Sequence, residues 1–263
     1  MSRSNGGLRA LADGDGLSAA THCEHLYSLA RNRLASPHNH LFELLPTKDR
    51  KRLLAIAEAV PLTQSDVLGE AGKPTRHVYF PTEGFISLVT AIDGKPVLEV
   101  GMVGREGMFG AQAALRVVTQ PLHALVQGTG SAQRIAIDTF GEEFKRSDSL
   151  QEVMGRYVYV LMTQLGSAAA CARFHQIDAR LGRWLLMMHD RAYAATFGVT
   201  QEFLAYMLGV RRVGITVAAS ELQKRGLIEY HRGQITVLDR RALEAASCSC
   251  YAADKRVYAR TMG

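Results

Sequence analysis

Apolar residues recur at helical spacing at the start of the readable pattern. Leu41, Phe42, Leu44 and Leu45, then Leu53, Leu54, Ile56 and Ala57, predict two amphipathic helices between residues 41 and 59, the second ended by Pro61. Beyond it the period shortens toward two. Residues 78–80, 85–91, 97–102, 124–126 and 133–137 read as short strands, with turn residues at 81–84, Asp93-Gly94 and 128–130 between them. Asp93-Gly94 between alternating apolar runs is a hairpin signal. Many short strands at this spacing predict a β-roll or jelly roll, closed by a helix over residues 138–146.

From Leu150 the spacing lengthens again. Leu150, Met154, Tyr157, Leu161, Gln164, Ala168, Cys171 and His175 follow alternating four- and three-residue steps, as coiled-coil seam positions do. This predicts a long helix pairing with a second copy, with Gln164 fixing register and the small residues 166–170 allowing close approach. Residues 174–189 continue as a helix whose inner face is Ile177, Leu181, Trp184, Leu185 and Met188.

Residues 200–228 read as two short helices hinged at Gly209, a residue type that tolerates positive φ. Thr200 is an N-cap, and Phe203, Leu204, Met207 and Leu208 form the first apolar face. Ile215, Ala218, Ala219 and Leu222 form the second. Arg211, Arg212, Gly214, Thr216 and Val217 are then left pointing outward near the start of the second helix, an arrangement suited to a DNA major groove. Gly226 stops that helix, residues 227–231 alternate as a strand, Arg232-Gly233 turns, and residues 234–238 return. A helix-turn-helix followed at once by a hairpin is a winged helix, with Arg232 placed to meet phosphate.

This succession resembles the Crp/Fnr transcription regulators over roughly residues 42–251. The resemblance rests on Leu208-Gly209 with Arg212, and on the wing Leu227-Ile228-Glu229-Tyr230-His231-Arg232-Gly233-Gln234-Ile235. It implies an α+β chain: an N-terminal extension (1–36), a cyclic-nucleotide-binding-like β-roll (37–149), a dimerisation helix (150–176), a winged helix-turn-helix (177–251) and a C-terminal tail (252–263). The implied partners are double-stranded DNA, a second copy of the chain, an unknown small-molecule effector and, as a candidate, RNA polymerase. The implied dimer seam uses Met154, Tyr157, Leu161, Gln164, Ala168 and Cys171. The sequence departs from the family where bases are usually read, carrying Val213 and Val217 in place of glutamate and arginine. It departs again in the effector pocket, whose candidate residues are Phe109, Gly110, Ala111, Arg116, Leu122 and His123. Ala111 replaces the glutamate that accepts a ribose hydroxyl, and Leu122 and His123 replace the phosphate-binding arginine and its hydroxyl neighbour. A buried phosphate lacking its arginine would cost several kcal/mol, so cyclic AMP bound in the usual mode is not expected. Iron–sulfur sensors of the family carry several N-terminal cysteines; here there is only Cys23, and that cofactor is not expected either.

Composition narrows the field further. Of 263 residues, 47% are hydrophobic and 21% charged, the balance of a globular chain long enough for two cores. The net charge is +6, and it is unevenly placed. Residues 173–241 hold 11 Lys and Arg against 6 Asp and Glu, leaving 20 against 19 elsewhere. The excess lies on the winged-helix half, as polyanion binding requires. A winged helix that docks another protein instead of DNA is the alternative reading. No Gly-x-Ser-x-Gly, Walker lysine loop or His-Glu-x-x-His occurs, so an enzyme is not expected. The longest apolar segment, 153–172, contains Arg156 and Gln164, and no N-terminal apolar run follows the early arginines; a cytoplasmic location is the expectation. No metal is assigned. His22, Cys23, His25, His38 and His40 complete no closed site, Cys248-Ser249-Cys250 is too short and solitary for zinc, and Cys171 and His175 read as core packing.

Overall fold

The computed structural model describes residues 39–91, 97–192 and 194–263. The expected extension over 1–36, with His22, Cys23 and His25, and also His38 and the Asp93-Gly94 turn, lie outside the described residues.

Two short helices, α1 (His40–Glu43) and α2 (Thr47–Ala55), lead into an antiparallel sheet. Its strands are β1 (Glu58–Leu62), β2 (Val67–Gly69), β3 (His77–Thr90), β4 (Leu98–Val103) and β5 (His123–Ala136), in the order β1-β5-β3-β4 with β2 also on β5. Asn39 starts this half: its Oδ1 caps Leu41 N, and its buried Nδ2 donates to Pro81 O at 2.9 Å and Gly107 O at 2.7 Å.

Two expectations change here. The runs 78–80 and, but for residue 91, 85–91 belong to the single strand β3, and 124–126 and 133–137 belong largely to β5. The glycines between them are bulges in paired strands, not turns: register slips at Glu83 and Phe85, and a Cβ on Gly84 (φ +72°) would lie 2.2 Å from Gly128 O. The chain bends without leaving the ladder because glycines on both strands let the backbones approach. Pro61 does not end a helix; it lies in β1 opposite Ser131, on an edge strand where a missing N–H is tolerated.

A 3₁₀ helix (Ala111–Leu115) interrupts the stretch before β5. The sheet is followed by α3 (Ile137–Arg146) and the long α4 (Asp148–Phe174), which Ser147 caps by accepting from Leu150 N. Phe42, Phe80, Phe140, Met154 and Tyr157 pack α4 against one end of the sheet. His175 leaves helical geometry (φ −100°, ψ 147°), and α5 (Ile177–Ala192) begins the C-terminal half. There follow β6 (Thr196–Gly198), α6 (Gln201–Leu208), α7 (Arg212–Lys224), β7 (Ile228–His231), β8 (Gln234–Val237), α8 (Arg240–Ala246) and α9 (Ser249–Met262).

The expected tail over 252–263 is helical. Val257, Tyr258 and Met262 give it an apolar side that packs into the core shared by α4 and the sheet, and that burial orders it. The two halves also share a core: Phe85, Val89, Met102 and Leu125 of the sheet region pack with Leu181, Trp184, Leu185 and Leu204.

The seam expectation is corrected as well. Met154, Tyr157 and Cys171 are each at most 3% exposed and face the chain's own interior, so they cannot meet a second copy. The outward stripe of α4 is Gly155, Tyr159, Met162, Gly166 and Ala169, at the same alternating steps, with Tyr159 53% and Met162 67% exposed. Apolar residues on two sides of one helix satisfy the same spacing rule in two registers, and only the packed neighbours distinguish them.

Candidate nucleic-acid interface

The helix-turn-helix is built by local rules. Thr200 Oγ1 accepts from Phe203 N at 3.1 Å, capping α6, and Gly209 adopts φ +61°, ψ +41° to end it. The axis turns by 107° into α7. Leu204, Met207, Ile215, Ala218 and Leu222 close the core between the two helices and α5. A β-hairpin follows directly. Arg232 (φ +47°) and Gly233 (φ +76°) form a two-residue turn with both φ values positive, whose twist matches β7 and β8. A third strand not foreseen in the sequence, β6, pairs with β8; at three residues it is too short to show a period.

The exposed face of α7 carries Arg211, Arg212, Val213, Thr216 and Val217, with Val213 67% and Val217 65% exposed. One expected contact residue is placed differently. Gly214 faces inward, where an added Cβ would lie 2.9 Å from Ile177 Cδ1; glycine is needed there for helix packing. Thr216 is exposed as expected, and its Oγ1 donates to Gln201 Oε1 at 2.7 Å across to α6. Val213 is the exposed residue that the outward set omitted, and its place one turn before Val217 was the available signal. Arg232 is exposed at the tip of the wing. Beneath it Tyr230 donates to Val199 O at 2.9 Å; burial raises its phenol above the ordinary range, and nearby Arg212 opposes the rise.

The sheet holds this unit from behind. Trp184 Nε1 on α5 donates to Glu99 Oε1 at 2.9 Å, and Arg191 binds Glu106 Oε1 through Nε at 2.9 Å and Nη2 at 2.7 Å. The turn itself rests on the sheet, since a Cβ at Gly209 would be 2.9 Å from Leu98 Cδ1.

The six effector-pocket candidates are not gathered around one space. Phe109 and Ala111 are buried, Phe109 packing with Tyr79, Ile86, Val103 and Val126 inside the roll. Arg116 is exposed in left-handed geometry (φ +58°), and His123 Nδ1 accepts from Ala71 N at 3.4 Å. Of the six, Leu122 borders a cavity of about 370 Å³ at the junction of the sheet, α4, α5 and α6. Glu99, Ala168, Arg183, Trp184 and Met207 also line it.

One grouping joins residues that the sequence left apart. Cys171, His175, Cys248 and Cys250 each offer one donor atom, and these atoms all lie within 4.8 Å of one another. No single helix among the described residues is long and apolar enough to cross a membrane.

Comparison with known proteins agrees with this architecture. Residues 179–246 match the Crp-like helix-turn-helix domain. No curated protein matches the chain in sequence. Among solved structures, FixK2 from Bradyrhizobium japonicum aligns with 74% of this chain and 98% of its own, at 14% identity and a TM-score of 0.63. The c-di-GMP responsive global regulator CLP from Xanthomonas campestris aligns with 74% of this chain and 100% of its own, at 16% identity and a TM-score of 0.61. A CRP/FNR-family transcriptional regulator from Thermus thermophilus covers 72% of this chain and 98% of its own, at 19% identity and a TM-score of 0.60. Identities this low speak for the fold, and the domain match speaks for the helix-turn-helix. Residues 179–246 thus form a Crp-like helix-turn-helix domain, set behind an antiparallel sheet and a long helix in the fold that the solved FixK2 and CLP structures share.

Proposed function

We propose that the protein is a dimeric, sequence-specific DNA-binding regulator that reads a near-palindromic site with α7. The observation that carries the reading is the exposed face of that helix, Arg212, Val213 and Val217, beside the Arg232 wing tip. Arg212 has the reach and paired donors for a guanine edge, the two valines offer apolar contact to thymine methyl groups, and Arg232 meets phosphate. Two copies joined along the Gly155, Tyr159, Met162, Gly166, Ala169 stripe would present two such helices to successive major grooves, about 34 Å apart. Selection from a random DNA library with the purified protein, followed by sequencing, tests this. An enriched inverted repeat supports it, and no enrichment with or without added small molecules counts against it. On the selected site, Arg212→Ala should lose about 1–3 kcal/mol of specific binding, while Arg232→Ala should weaken all sequences and lower the salt slope by about 1.

The signal-receiving half of the reading rests on the cavity, not on the filled interior of the roll. Its size suits a small molecule, and its mostly apolar lining favours an apolar or aromatic one. A thermal-shift screen repeated on Ala168→Trp tests the placement. A compound that stabilises the parent alone binds there, and one that stabilises both binds elsewhere.

Docking of a partner protein is the second reading, favoured by Val213, Val217 and Leu238, which are all more than half exposed. Binding to heparin and to random duplex DNA that fails at low salt would favour it over the first.

A further inference from the structure

The four-residue grouping lies where the long helix gives way to the C-terminal half. Cys171 is in the last turn of α4, and His175 is the residue that caps it, its N–H donating to Cys171 O at 3.2 Å. Cys248 caps α9 at its start, and Cys250 lies in the first turn of that helix. Cys248 N donates to Ala179 O at 3.2 Å, which fixes the α9 end against α5. Two pairs of donors, more than seventy residues apart in the chain, are thus held by three helices.

We propose that Cys171, His175, Cys248 and Cys250 form a mononuclear zinc site that binds the end of the long helix to the start of the C-terminal helix. The distances fit one small ion. Cys171 Sγ and Cys248 Sγ are 3.5 Å apart, and Cys250 Sγ and His175 Nδ1 are 3.6 Å apart. Tetrahedral zinc, with bonds of about 2.3 Å to sulfur and 2.0 Å to nitrogen, places neighbouring ligand atoms roughly 3.5–3.8 Å apart. Three thiolates and an imidazole are a soft donor set that closes all four positions, the mark of a structural site. A four-iron cluster spreads its thiolates across a larger core than this spacing gives.

The surroundings also suit a metal–thiolate centre. Three thiolates and one zinc ion leave one negative charge. Arg183, paired with Asp254 at 2.8 Å, lies beside the sulfurs, and Arg180 lies close enough to feel them. The α9 amino end adds its positive dipole. Arg180 in turn donates to Leu208 O, the last carbonyl of α6, so the order of this site passes to the helix-turn-helix through one side chain.

Metal content of the full-length protein, purified under reducing conditions without chelator, tests the proposal by elemental analysis. One zinc per chain is expected. Cys248→Ser and Cys250→Ser should each lose it, and Cys23→Ser, outside the four, should keep it. Should either variant fail to fold, the parent is stripped of metal and titrated with Co²⁺. Visible bands of tetrahedral cobalt with thiolate charge transfer, saturating at one equivalent and displaced by Zn²⁺, support the site. Overturning results are a protein free of zinc, iron in its place, a Cys171–Cys248 disulfide, or the spectrum of six-coordinate cobalt. None of these readouts depends on DNA binding.

Discussion

Replacing Glu99 with glutamine should remove a pH dependence built into the contact between the sheet and the winged helix. Glu99 keeps some exposure as a residue, but its carboxylate is enclosed: Oε2 accepts from Ser87 at 2.5 Å, and Oε1 accepts from Trp184 at 2.9 Å. Burial pushes its pKa up to about 7, against those two hydrogen bonds and the charges of Arg191 and Arg183, which all pull it down. In the unfolded chain the same acid titrates near 4.5. Below that pH both states hold the proton and nothing is lost. As pH rises through the window between the two values, the unfolded chain releases its proton first, so folding becomes less favourable; above about 8 the loss is complete. A gap of that size corresponds to about 3 kcal/mol in full, of which about 2 kcal/mol falls between pH 5.5 and pH 8. Glutamine imitates the protonated acid, keeping an acceptor for Trp184 and offering Ser87 a donor. Thermal unfolding of parent and variant at both pH values should show the parent losing about 4–8 °C more than Glu99→Gln on going to pH 8. Other titrating groups cancel in the difference. Parallel pH curves for the two proteins would refute the reasoning.

Three further outcomes are expected. Gly107→Ala would set a Cβ 2.1 Å from the Tyr157 hydroxyl, which is buried and bonded to Met108 O. Urea denaturation should show a loss of about 3 kcal/mol from overpacking, partly recovered by adding Tyr157→Phe. Arg191→Ala strands Glu106, and because that carboxylate keeps some exposure the loss should be about 2 kcal/mol, less than for a fully buried pair. Unfolding should then broaden or split as the winged helix loosens from the sheet; an unchanged midpoint would show that the pair is not a clamp. Met162→Arg places a charge in the exposed stripe of α4 and should shift the protein from dimer to monomer in sedimentation velocity. A variant that stays dimeric would locate the seam elsewhere, and a monomeric parent would refute the pairing itself.

The sequence was most readable where one residue type dictates local geometry. Thr200, Gly209 and Arg232-Gly233 each sit in the cap, hinge or turn that their chemistry predicts, and together they placed the helix-turn-helix and its wing to within a residue or two. Reading failed where the answer lay in a distant neighbour. Gly84 and Gly128 look like turn residues until they are seen to face each other across a ladder. The long helix is apolar on two sides, so its spacing could not say which side meets α9 and the sheet. The cysteines are the clearest case. Cys248-Ser249-Cys250 is half of a donor set, and its other half, Cys171 with His175, is brought beside it only by the path of α5 through α9. The exposed residues of α7 were mostly legible, but Gly214 serves packing against Ile177, a distinction that helical spacing does not carry.

The docking of α9 bears on how the molecule melts. Tyr258 donates to Glu106 O at 2.6 Å and lies 2.8 Å from His40 Nδ1, and Glu106 is also the partner of Arg191. A segment that follows the winged helix in sequence is therefore built into the folding unit of the sheet. Cutting the chain at the bend near residue 176 would not yield two free-standing halves, because the first would lack the helix that completes its core. Calorimetry should accordingly record a single cooperative transition, and any rearrangement between the sheet and the winged helix must proceed with α9 still seated, by sliding or tilting of packed helices and not by separation of the halves.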